Sequence, residues 1–156
     1  MRVAKFGESP LAIAAASAAD PVLQRIWFSI VQKPWSSLAV IPIGAALHDR
    51  AGRIARSLVS VGGLHGARPV RFLDATGVEL GDYQQLSVAL KSAAETNSMV
   101  IRLDCVTSNP TALALARATT AILLLVQIGD SRLSAIRSVV DAVGRERVIG
   151  CVAVRP

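Results

Sequence analysis

The segment from Leu38 to Gly63 has the clearest chemical potential, because a short apolar stretch is followed there by a glycine, a loop and an amphipathic stretch. A strand, a glycine-rich loop and a helix, in this order, build the phosphate-binding loop of many nucleotide-binding enzymes. That loop needs glycines whose backbone N–H groups wrap the phosphates, a lysine that neutralises their charge, and a Ser or Thr hydroxyl that holds magnesium. The order of residues therefore points towards nucleotide chemistry.

The residues at the decisive positions do not match those of a phosphate-binding loop. Laid on G-x-x-x-x-G-K-[ST], the sequence has Gly44 at the first glycine, then Asp49, Arg50 and Ala51 in place of glycine, lysine and hydroxyl. Asp49 brings negative charge towards phosphate oxygens, and Ala51 has no oxygen for the metal ion. A shifted register that uses residues 52–53 makes the loop three residues too long. We therefore expect no efficient phosphoryl transfer, which depends on positioning and charge neutralisation.

Two arginines beside this loop offer a weaker form of anion binding. Arg50 and Arg53 lie near the predicted N-terminus of the next helix, where exposed N–H groups attract negative charge. The alternative is that they belong to a solvated helix face together with Arg56. His48 also lies in the loop, but the sequence places no nucleophile beside it and no carboxylate except Asp49. We expect no chemical role for His48.

Two aspartates follow apolar segments further along the chain. Asp74 ends "VRFLD", and Asp104 follows "MVIRL". Ligands of parallel α/β sheets gather at the carboxyl ends of the strands, so the Gly44 loop, Asp74 and Asp104 are predicted to converge there. They are candidate remnants of a nucleotide site. The alternative is that each carboxylate caps the next turn.

Alternating strands and helices are predicted to position these residues. Aspartate or asparagine followed by proline, at residues 20–21 and 109–110, is typical of a helix start. Gly62 and Gly63 are expected to end the helix after the Gly44 loop, and Asp130 or Ser131 to cap the helix before the last strand. Another helix is expected near residues 83–95. The predicted strands are residues 38–43, 67–77, 98–106, 121–128 and 148–156.

This alternation predicts an α/β fold, a three-layer sandwich with a mostly parallel sheet and helices on both faces. Residues 20–156 are predicted to form a single domain, preceded by an N-terminal arm over residues 1–19. The arm loosely imitates a secretory signal, but Glu8 and Pro10 interrupt the pattern. We therefore interpret it as a flexible or helical arm.

Composition narrows the classes of partner and compartment. The net charge of +6 comes from scattered arginines, and with only six aromatic residues there is no visible base-stacking platform, so nucleic-acid binding is not expected. Mean hydropathy is high, at +0.47, but the longest apolar runs fall far short of the ~20 residues of a membrane span. Cys105 and Cys151 lack metal-ligand spacing, so we expect buried, reduced thiols in a cytoplasmic protein.

Four segments carry a resemblance to a known family: "LAVIPIG", "VRFLDATG", "MVIRLDCV" and, most specifically, "AILLLVQIGDSRLSAIRSVVDAVGRERVIGCVAV". Over about residues 20–154 the chain resembles the cytoplasmic bacterial tyrosine kinases of capsule and exopolysaccharide clusters. These CapB/CpsD-like proteins are a branch of the MinD/ParA-like P-loop ATPases. The upstream segment "DPVLQRIWFSIVQKPWSSLAVIPI" is similar to the helix that precedes the first strand in that family. The resemblance implies a P-loop NTPase-like fold.

The resemblance also identifies which functional residues the chain lacks. The first Walker motif of the family falls on residues 44–51, where its lysine and its hydroxyl are missing. Of the family's D-x-D-x-R signature only Asp74 matches, and of its Walker B pattern D-T-P-P only Asp104. The oligomerisation motif E-x-x-R-x-x-R retains Arg25 alone. The tyrosine-rich tail is missing as well, since the one tyrosine is Tyr83.

The resemblance implies a non-catalytic, pseudokinase-like protein of polysaccharide synthesis or export. It would bind a cytoplasmic segment of an inner-membrane polysaccharide co-polymerase or export protein, and reach the inner face of the membrane only through that partner. Arg25, Trp27 and Phe28 are the candidate partner contacts, and a homo-oligomer could form. No cofactor is expected. The alternatives are an active ATPase or tyrosine kinase with an atypical site for ATP and Mg²⁺, and a MinD/ParA-like positioning protein.

Overall fold

A computed structural model describes residues 20–156, and the predicted N-terminal arm, residues 1–19, lies outside the described part. The described residues contain a sheet of five parallel strands in the spatial order β2-β3-β1-β4-β5. The prediction of an α/β fold with a parallel sheet is confirmed. The strands are β1 (Ser37–Pro42), β2 (Val70–Asp74), β3 (Ser98–Arg102), β4 (Ala121–Gln127) and β5 (Val148–Val154).

Helices cover both faces of this sheet. They are α1 (Pro21–Ile30), α2 (His48–His65), α3 (Tyr83–Ala94), α4 (Pro110–Ala118) and α5 (Leu133–Val143). The first two pack on one face and the other three on the opposite face. Strand β1 lies at the centre and is buried along its whole length. Because it has no solvent-facing side, its sequence is almost continuously apolar and does not alternate.

The central strand supplies both cores. Leu38 and Val40 pack in the cluster beneath α1 and α2, whereas Ala39 and Ile41 pack in the cluster beneath the other three helices. Burying a Val, Leu or Ile side chain contributes about 1.5–3 kcal/mol relative to exposure. The strands therefore anchor the loops that leave their carboxyl ends.

The two helix starts predicted from proline are confirmed. The side chain of Asp20 accepts a hydrogen bond from the N–H of Val22 at 2.9 Å. At α4, the side-chain oxygen of Asn109 accepts from the N–H groups of Thr111 and Ala112 at 3.0 and 3.3 Å. These bonds satisfy N–H groups that have no partner within the helix.

The predicted cap of α5 is wrong, since the helix follows Arg132 without a side-chain cap. Ser131 has a different role. Its hydroxyl accepts from the N–H of Gln127 at 2.9 Å and donates to the carbonyl of Ile43 at 3.4 Å. The residue therefore ties the end of β4 to the segment that follows β1.

The predicted end of α2 is also wrong, because the helix continues through Gly62 and Gly63 to His65. Gly62 faces Trp27, and a Cβ at this position would overlap the indole ring, whereas a Cβ at Gly63 would meet no heavy atom within 4 Å. Gly62 therefore permits the close approach of α1 and α2. The helix continues past it to His65.

Candidate functional site

The predicted site residues converge at the carboxyl edge of the sheet. Gly44 follows β1, Asp74 ends β2, and Asp104 comes shortly after β3. A cavity of about 850 Å³ reaches from Asp74 to Asp104. A second cavity, of about 710 Å³, contacts Gly44 and Asp104, and the two share His48 and Asp104 in their linings. The candidate site therefore consists of two cavities that meet at His48 and Asp104 along this edge of the sheet.

The first cluster surrounds Asp74 and is dominated by paired charges. The Asp74 carboxylate lies 3.4 Å from Nη1 of Arg102 and 3.9 Å from Nη2 of Arg56. Its other oxygen accepts from the N–H and the hydroxyl of Thr76, at 3.1 and 2.7 Å. The Asp74 and Arg102 side chains are only 11% and 10% exposed. Asp74 therefore neutralises the buried guanidinium of Arg102.

Packing holds this guanidinium in place. Arg102 also donates to the carbonyl of His48 at 3.0 Å, and its Nε is buried without a hydrogen-bond partner among the described residues. On the side of α2 it faces Gly52, where an added Cβ would lie only 2.7 Å from the guanidinium carbon. Gly52 is therefore a packing glycine. It takes no part in a phosphate-binding loop.

The loop after β1 is short, and glycine is required at its start. Gly44 has a φ of 111°, a backbone conformation that residues with a side chain rarely adopt. A single 3₁₀ turn follows, and α2 begins at His48, so Asp49 and Ala51 are already helical. Ala51 is fully buried against the sheet, and Asp49 is exposed. Of the predicted nucleotide-site positions in this loop, Gly44 alone lies in a loop that could wrap a ligand.

The two arginines predicted to contact an anion have different surroundings. The guanidinium of Arg50 donates to the carbonyl of Arg155, just beyond the end of β5. Arg53 is exposed on α2. Arg56, on the same helix, lies against the ring of Phe72, with 5.2 Å between the guanidinium carbon and the ring centroid. Arg50 is therefore already engaged by the backbone.

The second cluster surrounds Asp104 and is built from uncharged donors. One carboxylate oxygen accepts from the N–H of Gly77 at 2.7 Å and from the side-chain amide of Asn109 at 3.1 Å. The other lies 3.6 Å from Nδ1 of His48. The His48 side chain is 42% exposed and that of Asp104 is 19% exposed. This cluster is open to the cavities.

Cys105 lies beside this second cluster. It is partly exposed and Cys151 is exposed, so the prediction of buried thiols is wrong, although both cysteines are free. Burial alone would raise the pKa of Cys105. Hydrogen bonds from the Thr107 hydroxyl and from backbone groups of Gly44, Thr107 and Ser108 outweigh it and lower the pKa of this thiol below its usual value. Burial raises the pKa of Cys151.

Sequence reasoning missed three residues of this edge, two beside Asp104 and one beside Asp74. His48 faces a carboxylate supplied by a distant part of the chain, and Cys105 joins it on the same cavity. Neither contact has a local sequence signal. Arg102 did have one, because a charged residue within the apolar strand "SMVIR" needs a buried partner. That partner is Asp74.

The predicted partner contacts lie on α1. Arg25 and Phe28 are exposed, and the Phe28 ring lies 5.2 Å from that of His65, between centroids. Trp27 is 3% exposed and packs inside the protein. Only Arg25 and Phe28 of the three therefore face outward.

No protein-family model and no curated protein sequence matches the chain. Within residues 20–156, no group of three or more His, Cys, Asp or Glu side chains is arranged to hold a metal ion. No helix in the same part of the chain is both long and apolar enough to cross a membrane.

Proposed function

We propose that residues 20–156 form a degenerate P-loop NTPase-like domain that binds a protein partner and does not transfer phosphate. The parallel sheet with helices on both faces supports this proposal. A glycine turn between β1 and α2 and an aspartate shortly after the neighbouring strand β3 agree with it. The resemblance to CapB/CpsD-like kinases implies a role in exopolysaccharide or capsule synthesis or export.

The observation that carries the proposal is that protein groups already satisfy both carboxylates of the edge. Asp74 pairs with Arg102, while Asp104 accepts from Gly77 and Asn109 and faces His48. No lysine lies between Gly44 and Ala51 to neutralise a triphosphate. Phosphoryl transfer depends on that neutralisation and on positioning. The arrangement therefore favours a scaffold over a catalyst.

Titration calorimetry with ATP and Mg²⁺ tests whether the site has lost nucleotide binding. We expect no binding up to millimolar ATP, because the site lacks an ammonium group and a hydroxyl at the β1–α2 junction. Micromolar, Mg²⁺-dependent binding that is lost in Asp104→Ala would contradict this and favour the active ATPase or kinase. In that case Arg50 would first have to release the Arg155 carbonyl.

The partner is proposed to be an inner-membrane polysaccharide co-polymerase or export protein, bound through the exposed face of α1. A partly apolar face that carries a positive charge suits a cytoplasmic segment of a membrane protein. Phe28 on α1 and Val31 just after it are large apolar side chains left 49% and 42% exposed. Arg25 adds positive charge to the same helix. Membrane association would be indirect, from the cytoplasmic side.

The gene neighbourhood and a binding assay test this partner. If a co-polymerase is encoded nearby, its cytoplasmic segments are expected to bind the full chain in calorimetry. Phe28→Ala is expected to weaken binding about tenfold. Leu80→Ala, at an exposed residue before α3, is the matched control and should leave binding unchanged. Cell-division neighbours, together with salt-dependent binding to anionic vesicles, would instead support the MinD/ParA-like positioning protein.

A further inference from the structure

We propose that Cys105 is a site of reversible thiolation, where the thiol exchanges with low-molecular-weight disulfides in the cavity that it shares with His48 and Asp104. This proposal does not depend on a partner protein or on nucleotide binding.

The first support is that three titratable side chains line one cavity. His48 is the first residue of α2, and the loop after β3 supplies Asp104 and Cys105. Imidazole and carboxylate face each other at 3.6 Å. Elsewhere the cavity is lined by small or polar residues, among them Gly44, Ala45 and Ser108. Its volume of about 710 Å³ leaves room beside the sulfur for a peptide-sized thiol.

The second support is the environment of the sulfur. Sγ of Cys105 lies 3.1 Å from the hydroxyl of Thr107. Together with backbone groups that include Gly44, this hydroxyl outweighs the effect of burial and lowers the pKa of the thiol. The nucleophile in thiol–disulfide exchange is the thiolate, so these donors increase the reactive fraction at neutral pH. The hydrogen bond from the Gly44 backbone comes from a different loop and exists only in the folded protein.

The exchange needs no reagent beyond the disulfide. The Cys105 sulfur attacks one sulfur of the small disulfide. A new S–S bond forms as the old one breaks, and the other half leaves as a thiolate. The proton that Cys105 has lost is balanced by the proton that this thiolate takes up. His48 lines the same cavity, and we assign to its imidazole the delivery of that proton.

An internal disulfide does not compete with this reaction. Cys151 is on β5, whereas Cys105 follows β3. Two strands, β1 and β4, lie between β3 and β5 in the sheet. Three strand spacings correspond to about 14 Å, whereas bridged cysteines need Cα atoms within about 7 Å of each other. The mixed disulfide is therefore expected to persist until a second small thiol reduces it.

The wild-type chain carries its own control, because Cys151 is also free but its pKa is raised. The reduced full chain is incubated at neutral pH with oxidised glutathione, quenched with acid, and mapped by peptide mass spectrometry. Cys105 is expected to be modified at least about tenfold faster than Cys151, and a dithiol reductant should remove the adduct. In denaturant the two rates should become similar. Equal rates in the folded protein, or faster modification of Cys151, would overturn the proposal.

Two variants test the assigned groups. Thr107→Val should slow the modification of Cys105 several-fold, whereas Ser134→Ala, at an exposed position of α5, should not. His48→Gln should slow exchange with oxidised glutathione but not with a chromogenic aryl disulfide, whose acidic leaving thiol needs no proton. Circular dichroism checks folding. Unchanged rates in Thr107→Val, or equal slowing of both disulfides in His48→Gln, would overturn these assignments.

Discussion

Asp74 and Asp104 follow neighbouring strands at one edge of the sheet, yet their surroundings differ. Asp74 pairs with the nearly buried guanidinium of Arg102, and both side chains are close to nine-tenths buried. Asp104 accepts from two uncharged N–H donors and faces an imidazole that is 42% exposed. Both were predicted from the sequence as remnants of a nucleotide site. The structure uses them in different ways.

The difference separates a structural cluster from an accessible one. A buried ion pair is costly to break, because the surviving charge stays desolvated and unpaired. A carboxylate held by uncharged donors at the rim of a cavity can lose its charge with little strain. We therefore expect the Asp74 cluster to govern stability and the Asp104 cluster, with Cys105, to govern reactivity.

The largest expected effect is that of Asp74→Asn. The amide retains the bonds from Thr76, but it leaves Arg102 without a counter-charge, and the free energy of unfolding should fall by about 3 kcal/mol. Asp104→Asn is the matched control. It retains an acceptor for Gly77 and Asn109, and we expect a loss of about 1 kcal/mol or less. Urea unfolding of the two variants measures both values. Equal losses would remove the distinction between the clusters.

Gly52→Ala tests whether Arg102 is held in place, with a smaller expected effect. The added Cβ would lie 2.7 Å from the guanidinium carbon. Overpacking costs about 1–3 kcal/mol, and a gain of up to about 1 kcal/mol in helix propensity offsets part of it. Thermal unfolding should show a net loss of about 1–2 kcal/mol.

Gly63→Ala is the control for that substitution, because it lies on the same helix and its Cβ would meet no heavy atom within 4 Å. It should be neutral or stabilising, by up to about 1 kcal/mol. If Gly52→Ala behaves in the same way, the Arg102 side chain can move aside, and the Asp74 cluster is less constrained than its contacts suggest.

The smallest effect is a pH dependence of stability that differs between the two cysteines. The pKa of Cys105 is lowered on folding, so its contribution to stability is present above the unfolded-state pKa of about 8.5 and is lost as pH falls through the folded-state value. The pKa of Cys151 is raised, so its contribution is present below about pH 8.5 and is lost as pH rises through its folded-state value.

Unfolding free energies of wild type, Cys105→Ser and Cys151→Ser between neutral and alkaline pH measure these contributions. The difference between wild type and Cys105→Ser should grow as pH rises towards about 8.5. The difference between wild type and Cys151→Ser should shrink above that pH. Parallel curves for the two variants would show that the two thiols have the same environment.

The sequence by itself determined the order of strands and helices and the class of fold. Strands that are buried on both faces must be apolar along their length, so β1, β3 and β4 were visible as short apolar runs. Helix starts at Asp20 and Asn109 were visible because capping is a local interaction. The convergence of Gly44, Asp74 and Asp104 followed from the geometry of a parallel sheet.

Only the tertiary structure decided which groups face one another. Gly62 and Gly52 resemble helix-ending or loop glycines in sequence, but each accommodates a large side chain from another element, Trp27 or Arg102. His48, Asp104 and Cys105 share a cavity although the first is far from the others along the chain. Local propensity depends on neighbours within a few residues, whereas packing and pKa depend on neighbours in space. The chemistry of this edge could therefore not be predicted from the sequence pattern.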